Sequence, residues 1–375
     1  MRIAILSLSE KGKKLSSTLK TLLDEDPTII KVNTLHKNVK DSINLIFNDN
    51  SNNNIGSSNN INYDAIIGIM ATGILIRNIA DKIQDKTTDP AILSMDDNGK
   101  YVISLVSGHL GGANELAKKI AELIEGEPVI TTATDTSAKV GIDTLATKLH
   151  WEIINKDEIL SFNKAILEEK NIKIYINASK NDKIEYKDYI EDCLKNQEKN
   201  TLEIIDLKNE DSSIKSIQGT DANNHDKYED FNIIASFDGH TMFFKPKKIV
   251  IGIGARANVS KEKVIIAIQT AMNNLNLAIE RIDSISTVDI KKDEEGILKA
   301  AKKINKPLNI VAIDEIREFK SPEISSSDFV QEKFDIPGVA EPAALIIAKR
   351  GQKNSKLIHK KIAIDGVTVA VAVSK

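Results

Sequence analysis

The sequence predicts a multi-domain α/β protein, with N-terminal and C-terminal α/β sheet domains joined by a middle α/β lobe. Short apolar runs of strand length alternate with stretches whose apolar residues recur at helical spacing, both before residue 133 and after residue 246. A length of 375 residues also exceeds one typical domain. We expect an N-terminal domain at residues 1–133, a middle region at 134–246 and a C-terminal domain at 247–375.

The first elements form a β-α-β unit followed by an insertion. Apolar runs at Ile3–Leu8 and Ile29–Leu35 predict strands, and the leucine spacing of Lys14–Leu23 predicts a helix between them. Residues 48–60, NDNSNNNIGSSNN, contain almost no apolar side chains and predict an irregular surface insertion.

Alternating strands and helices continue to residue 132. The turn-forming residues Asp96–Gly99 separate two strand-like runs and predict a hairpin beside an otherwise parallel sheet. The predicted elements are strands at Ala65–Met70, Ala91–Met95, Tyr101–Val106 and Pro128–Thr132 and helices that start near Thr72 and Ala113.

The middle region has weaker patterns. Helices are predicted at Asp143–Trp151 and Glu158–Lys170, and a strand is predicted at Ile172–Ile176. The polar segment Lys208–Asp230 predicts a second surface insertion, and Pro246 with its neighbouring lysines predicts a linker.

The last domain repeats the strand-helix order and closes with a hairpin. Asp365 and Gly366 separate two apolar runs and predict the hairpin turn. Pro342 predicts a helix N-terminus, because proline fits the first turn of a helix. The predicted elements are strands at Lys248–Gly254, Arg281–Thr287, Leu308–Ile313, Leu357–Ile364 and Val367–Val373 and helices from Ser260, at Glu295–Ile304 and at Ala343–Ala348.

Composition excludes several classes of site. Cys193 is the single cysteine, so an internal disulfide and a metal site built from several cysteines of one chain are excluded. The six histidines are scattered, and we expect no metal held by the protein. No apolar run approaches the roughly 20 residues needed to cross a bilayer. We therefore expect a soluble, cytoplasmic protein without a membrane partner.

Charge is unevenly distributed along the chain. Residues 245–375 carry 23 Lys and Arg against 16 Asp and Glu, whereas residues 1–244 carry 28 against 38. The positive C-terminal third indicates either an anionic ligand or a solvated lysine surface. Aromatic residues are only 4% and no basic stripe contains them, so nucleic acid is not expected as a partner.

Three segments of the N-terminal domain follow predicted strands: residues 70–73, 107–115 and 131–135. Ligands of open α/β sheets bind outside the carboxyl ends of strands, and we expect these segments to gather there. In SGHLGGANE, the glycines between a strand and a helix can present backbone N–H groups to a carboxylate or phosphate. His109 can exchange a proton near neutral pH. The alternative is a tight connection with Glu115 as a partner of the helix dipole.

Polar residues in the other two segments have two interpretations each. Thr131, Thr132, Thr134 and Asp135 can hydrogen-bond a ligand or cap the next helix. Arg77 lies in a mostly apolar helix and can pair with a carboxylate or remain exposed to solvent.

The C-terminal domain contains a glycine pattern and an acidic residue before a predicted helix. Gly252, Gly254 and Ala257 match G-x-G-x-x-A, but Asp289 lies 32 residues beyond Ala257 rather than about 20, so dinucleotide binding is the minor interpretation. We prefer an anion-binding turn with Arg256 and Ser260 as donors. Glu341, before a predicted helix, is a general base or a dipole partner.

The motifs together resemble the CbiG family of cobalamin biosynthesis proteins. GIMATGILIRNIADKIQDKTTDPA, SGHLGGANELAKKIAELI and PVITTATD are similar in order and spacing to the N-terminal signature of that family. GIGARANVS, STVDIKKDEEGI and PGVAEPAAL resemble its C-terminal signature, which is also related to the small protein CobE. The family usually has Cys-Arg after GIG, where this chain has Ala255-Arg256.

The resemblance implies a cobalt-precorrin-5A hydrolase of anaerobic vitamin B12 synthesis. Water opens a δ-lactone of the ring-contracted cobalt-corrinoid, and a two-carbon fragment leaves as acetaldehyde to give cobalt-precorrin-5B. Cobalt belongs to the substrate, so no cofactor is expected. Transient contact with neighbouring cobalt-precorrin methyltransferases is also expected. The alternatives are a non-catalytic carrier of corrinoid intermediates and an NAD(P)-dependent enzyme of corrinoid metabolism.

Carried onto this chain, the resemblance implies that both terminal domains close around the corrinoid. His109 or Glu115 is expected to be the catalytic base. The N–H groups around Gly111 and Gly112 are expected to bind the oxyanion. The residues expected to bind substrate are Thr72, Gly73, Arg77, Ser107, Gly108, Gly111, Gly112, Asn114, Thr131, Thr132, Thr134, Asp135, Gly252, Gly254, Arg256, Ser260 and Glu341.

Overall fold

The protein is described by a computed structural model at residues 1–51, 63–85, 88–108, 111–132, 139–176, 202–206 and 233–374. It divides into two compact units, one made of Met1–Ile130 with Lys248–Lys375 and the other of Thr131–Lys247. Three sheets flanked by helices confirm the multi-domain α/β class. The predicted insertion Lys208–Asp230 and residues 52–60 of the first one lie outside the described residues.

A six-stranded sheet with two layers of helices forms the N-terminal part of the first unit. Its spatial order is β2-β1-β3-β4-β5-β6. The strands are β1 Arg2–Ser7, β2 Lys31–His36, β3 Ala65–Ile69, β4 Ala91–Met95, β5 Tyr101–Val106 and β6 Glu127–Val129. The helices are α1 Glu10–Glu25, α2 Val39–Ser51, α3 Thr72–Ile79 and α4 Ala113–Leu123.

Apolar side chains alternate between the two faces of this sheet. Helices α1 and α4 cover one face, where Leu19 and Leu116 join a core with Ile3 and Ile5. Helices α2 and α3 cover the other, because strand residues alternate in direction and Ala4 and Leu6 face that side. The result is a three-layer sandwich with two apolar cores.

Strand direction changes once within the sheet. Strands β1 to β4 are mutually parallel, β5 is antiparallel to β4, and β6 is parallel to β5. The reversal is the predicted hairpin, which is confirmed: the Asp96 carboxylate accepts hydrogen bonds from the N–H groups of Asn98 and Tyr101. Gly99 adopts a φ of +75° there, which glycine accommodates without strain.

Helix α2 differs from the sequence-based expectation. It runs to Ser51, so residues 48–51, predicted as the start of the insertion, are helical. Val39, Ile43 and Ile46 are buried at helical spacing, and this apolar face holds the helix on the sheet.

The second unit contains a five-stranded sheet of order β7-β11-β10-β8-β9. The strands are β7 Trp151–Ile153, β8 Ile172–Ile176, β9 Leu202–Asp206, β10 Ile233–Phe237 and β11 His240–Pro246. The helices are α5 Ile142–Lys148 and α6 Ile159–Leu167. The predicted strand at Ile172–Ile176 is confirmed.

Two predictions for this unit are wrong. Trp151 begins a strand instead of ending a helix, because its indole packs on Phe244 with ring centroids 5.3 Å apart. Pro246 is the last residue of β11, opposite Trp151, and not a linker. Proline fits there because a strand end tolerates the missing N–H.

The C-terminal part of the first unit is a five-stranded sheet of order β14-β13-β12-β16-β15. The strands are β12 Ile249–Ala255, β13 Ser284–Val288, β14 Leu308–Val311, β15 Ser355–Ile364 and β16 Val367–Ser374. The helices are α7 Lys261–Asn274, α8 Glu295–Lys303, α9 Ile313–Glu318, α10 Asp328–Phe334 and α11 Ala340–Lys349.

The predicted C-terminal hairpin is confirmed. Strands β15 and β16 pair antiparallel about Asp365 and Gly366, whose φ angles of +48° and +86° match the turn type that asparagine, aspartate and glycine favour. Helix α11 packs on one face of the sheet with Val250, Ala370 and Ala372 in its core. Helices α9 and α10 were not predicted, and Ile313 begins a helix rather than ending a strand.

The two sheets of the first unit touch through a set of polar contacts that we call the junction. Arg2 forms an ion pair with Glu323, and Lys356 lies 3.5 Å from the Asp64 carboxylate. The Lys360 N–H donates a 2.9 Å hydrogen bond to the carbonyl of Pro27. Strand β15 therefore lies against the start of β1 and the segment before β2.

No helix in the described ranges combines the length and apolar character needed to cross a membrane.

Candidate functional site

Sheet direction separates the three predicted segments of the N-terminal part. Strands β3 and β5 run in opposite directions, so Met70, after β3, and Ser107, after β5, lie at opposite edges. Met70 donates its N–H to Met95 at the end of β4, whereas Ile92 at the start of β4 pairs with Val106. The expectation that all three segments meet at one edge does not hold, because the hairpin reverses the sheet.

The segment at residues 131–135 begins the second unit. Strand β6 is parallel to β5, so Val129 at its end lies on the same side of the sheet as Ser107, whereas Thr131 and Thr132 belong to the second unit. Thr134 and Asp135 lie outside the described residues, as do His109 and Leu110. Their predicted roles stay predictions.

The loop at residues 107–112, the glycine loop, is tied to the first turn of α4. Ala113 donates its N–H to the carbonyl of Ser107 at 3.1 Å, and Asn114 donates to Gly108 at 3.0 Å. These two amides are consequently unavailable to a ligand. The N–H groups of Gly111 and Gly112 have no acceptor within the described part of the chain. They are the loop's candidate anion donors.

The described residues of the glycine loop are closely packed and leave no room for larger side chains at Gly108 and Gly111. A Cβ at Gly111 would collide with the Ser107 side chain, and a Cβ at Gly108 would lie 2.7 Å from Oδ1 of Asn114. Gly112 adopts a φ of +82°. Asn114, only 2% exposed, accepts a 2.6 Å hydrogen bond from Ser104 Oγ, so its side chain supports the loop from below.

Ser107 combines burial with an unusual backbone. It has a φ of +58°, in the left-handed region that side chains other than glycine seldom adopt. The residue is 8% exposed, and its Oγ has no hydrogen-bond partner in the described ranges.

Glu115, one of the two predicted bases, lies on the exposed side of α4. Its side chain is 58% exposed and forms a 3.1 Å ion pair with Lys118. The Glu115 carboxylate is thus already partnered on the surface.

The third segment stands at the opposite edge of the sheet. Thr72 Oγ1 lies 2.9 Å from Ser94 Oγ. Gly73 and Arg77 are exposed on α3, and Arg77 forms no ion pair with a described residue. Arg77 is therefore available to a carboxylate, although not at the glycine loop.

The glycine pattern of the C-terminal sheet serves helix packing. Gly252 and Gly254 lie within β12, not in a turn. A Cβ at Gly252 would collide with the carbonyl of Ala340, so α11 occupies the close approach that a dinucleotide motif reserves for pyrophosphate. The prediction that these glycines form an anion-binding turn is wrong for this reason.

The other C-terminal candidates have internal partners or lie exposed. Ser260 Oγ caps α7 by accepting from the Lys263 N–H. Arg256 is exposed after β12, and its N–H donates to Gly366 at 2.9 Å. Of these two residues, Arg256 keeps its guanidinium available to a ligand.

Glu341 stabilises the fold around α11. It is 2% exposed, and its carboxylate accepts 2.7 Å hydrogen bonds from both the N–H and the Oγ of Ser325 and one from the Lys361 N–H at 3.0 Å. Glu341 lies in the first turn of α11, where the dipole-partner interpretation puts it, and its hydrogen bonds favour this structural role over that of a general base.

The sequence suggests only a ribose-binding role for Asp289, and its distance from Ala257 along the chain argues against that role. The structure places Asp289 at the end of β13, next to β12. It follows β13, and Oδ2 accepts a 3.2 Å hydrogen bond from Ile313 while Oδ1 is buried without a partner among described residues. Its position directly after a strand next to β12 was the signal in the sequence. No group of three or more metal-ligating side chains occurs in the described ranges.

The glycine loop and the Arg256 edge lie at opposite ends of β15. Lys356, near the start of β15, contacts Asp64 on the edge of the glycine loop, whereas Ile364 at its other end pairs with Val367 beside Arg256. Eight residues of strand span roughly 25 Å. The expectation that both terminal domains close around one corrinoid stays a prediction.

Two family models match the chain. The model described as Cobalamin synthesis G N-terminal matches residues 58–135, and the model described as Cobalamin synthesis G C-terminus matches residues 249–372. The first range contains the glycine loop and the second contains the Arg256 edge.

Similar proteins are known from archaea and bacteria. A probable cobalt-precorrin-5A hydrolase of Methanocaldococcus jannaschii is 32% identical over 99% of both chains. The cobalt-precorrin-5A hydrolase of Priestia megaterium is 28% identical over 83% of this chain and 78% of that one. The crystal structure of a putative cobalamin biosynthesis protein G homolog from Sulfolobus solfataricus has a TM-score of 0.57, with 26% identity over 100% of this chain and 97% of that chain.

Proposed function

The chain belongs to the cobalamin synthesis G family, and from that premise we propose that it is a cobalt-precorrin-5A hydrolase. The observation that carries the proposal is similarity along the whole chain to a relative bearing that name, 32% identical over 99% of both proteins. The reaction class is the opening of a lactone, followed by release of acetaldehyde.

The glycine loop supplies groups that lactone opening needs. Attack on a lactone carbonyl places negative charge on its oxygen, and nearby N–H donors stabilise that charge. The N–H groups of Gly111 and Gly112, which have no acceptor among the described residues, stand before the N-terminus of α4, whose dipole adds to them. This edge is therefore our candidate for the reacting centre.

Proton transfer needs a base near that edge. His109 lies in the glycine loop by sequence, and Glu115 lies in the first turn of α4. We prefer His109, because Glu115 is exposed and paired with Lys118.

The rest of the substrate is a polyanion that carries its own cobalt. The excess of Lys and Arg in residues 245–375 favours its approach. We propose that no cofactor takes part. The close packing of α11 on Gly252 supports this view against the dinucleotide-dependent alternative.

The direct test is to incubate the protein anaerobically with the lactone-bearing cobalt-precorrin and to assay acetaldehyde against a control without protein. Protein-dependent release establishes the hydrolase. Tight binding without release points instead to a carrier, and a rise in melting temperature with NAD(P) points to the dinucleotide-dependent alternative.

A glycine substitution tests whether the glycine loop is the reacting centre. Gly111→Ala places a Cβ against Ser107 and must displace the two amide donors, so we expect acetaldehyde release to fall about a hundredfold. Gly338→Ala is the matched control, because its added Cβ meets nothing closer than 3.8 Å and lies outside the loop. Equal rates for both variants would remove the loop from the mechanism.

A further inference from the structure

Two features of Ser107 destabilise the folded protein. Its φ of +58° strains an L-residue, and its buried Oγ makes no hydrogen bond in the described ranges. Glycine would relieve the first and alanine the second. Stability alone therefore accounts for neither the backbone nor the hydroxyl at Ser107.

The surroundings of Ser107 fit a reactive hydroxyl. Strand β5 ends at Val106, the chain turns at Ser107, and α4 follows from Ala113. The Ser107 side chain lies against Gly111, whose N–H, like that of Gly112, has no acceptor in the described part of the chain. A strained serine between a strand and a helix, with backbone donors beside it, shares these two features with a nucleophile elbow, but the Oγ of Ser107 is buried where an elbow exposes it. The sequence lacks the G-x-S-x-G pattern, so this similarity is visible only in the structure.

We propose, resting on the hydrolase function above, that Ser107 is the catalytic nucleophile and that the lactone opens through an ester on its Oγ. The N–H groups of Gly111 and Gly112 bind the carbonyl oxygen in this step. The protein thus acts by covalent catalysis rather than by direct attack of water.

The steps balance without another reactant. Oγ bonds to the lactone carbonyl carbon, the ring C–O bond breaks, and the hydroxyl proton of Ser107 passes to the alcohol oxygen that is released. One water then cleaves the ester, giving the acetate side chain as the acid and restoring the Ser107 hydroxyl. The freed alcohol undergoes the C–C fragmentation that yields acetaldehyde.

Two variants separate a catalytic role from a structural one. Ser107→Ala removes the hydroxyl, and Ser107→Gly also removes the backbone strain. We expect both to melt at or above the temperature of the unmodified protein and to lose acetaldehyde release by at least a thousandfold. Ser284→Ala is the control, because Ser284 is 3% exposed, has an unpaired Oγ in the described ranges and lies in β13. It should keep full activity.

Acid quenching during turnover, followed by mass spectrometry, gives the second readout. We expect the unmodified protein to carry the mass of the corrinoid acyl group on the peptide containing Ser107, and Ser107→Ala to carry none. Either of two results overturns Ser107 as the nucleophile while leaving the hydrolase function in place. One is an active Ser107→Ala variant. The other is an inactive Ser107→Ala variant together with an active unmodified protein that carries no adduct. Absence of acetaldehyde from the unmodified protein overturns the hydrolase and this inference together.

Discussion

Asp64 is a carboxylate at the junction whose ionisation depends on its neighbours. Burial alone would raise its pKa, but Lys356, the amino group of Met1 and the Arg2 N–H together lower the pKa from 3.8 to about 2. A carboxyl whose pKa is depressed by folding stabilises the folded state above pH 3.8, and that contribution disappears as the pH falls through about 2.

We expect Asp64→Asn to lower the free energy of unfolding at pH 7 by roughly 1 to 2 kcal/mol. This value is smaller than the full pKa shift implies, because 28% of the Asp64 side chain is exposed and solvent screens its charge. Urea titrations at pH 7 and near pH 2 measure the change in stability. The two proteins should differ at pH 7 and converge at pH 2. Asp24→Asn, at an exposed ion pair with Lys20, should change stability by less than about 0.5 kcal/mol. A gap between wild type and Asp64→Asn that is independent of pH would contradict the assignment.

The turn that carries the candidate site was predicted from the sequence, but the contacts of its side chains were not. The glycines of SGHLGG mark a turn between strand and helix, and that much the pattern predicts. The φ of Ser107, the lack of a partner for its hydroxyl in the described ranges and its close approach to Gly111 are visible only in the structure. The position of Glu341 before an apolar stretch predicts either a base or a dipole partner, and its hydrogen-bond partners Ser325 and Lys361 come from distant segments.

Elements with strong local chemistry were predicted, and elements held by tertiary contacts were not. The turns at Asp96–Gly99 and Asp365-Gly366 carry their own hydrogen-bonding and φ preferences, so both hairpins are confirmed. Short helices such as α9 and α10 have six and seven residues, too few for a periodic signal. The predicted hairpin already implied a reversal of strand direction. That this reversal puts Met70 and Ser107 at opposite edges of the sheet follows only from the full strand order.

At the level of elements, the contact of α11 with β12 depends on Gly252. We expect Gly252→Ala to destabilise the protein by about 3 kcal/mol, because the new Cβ collides with the backbone of Ala340 and the helix must move. Gly254→Ala is the comparison, since its Cβ would lie 3.4 Å from Val339, an ordinary contact. Thermal unfolding of both variants measures the difference, and equal melting temperatures would show that α11 does not need the glycine.

At the level of the whole molecule, the junction fixes the two sheets of the first unit to each other. Glu323 is 7% exposed and accepts hydrogen bonds from Arg2 and from the Leu357 N–H. One side chain thus touches both β1 and β15.

We expect Glu323→Ala to lower the free energy of unfolding by about 3 kcal/mol, because it removes a buried partner of a charged group. Amide hydrogen exchange should rise at both Arg2 and Leu357. Glu315→Ala, at the exposed ion pair with Arg350, is the control and should cost less than about 1 kcal/mol. Faster exchange confined to β15 would mean that the junction does not couple the two sheets.

Strand β15 stands at the border of its sheet, where bare backbone groups invite pairing with other molecules. The hydrogen bond from Lys360 to Pro27 covers part of that border with a segment made at the opposite end of the chain. Translation proceeds from the N-terminus and domains fold as they emerge. Pro27 is therefore synthesised about 330 residues before Lys360. We expect the N-terminal sheet to be folded when β15 is made and to protect its edge from aggregation during synthesis.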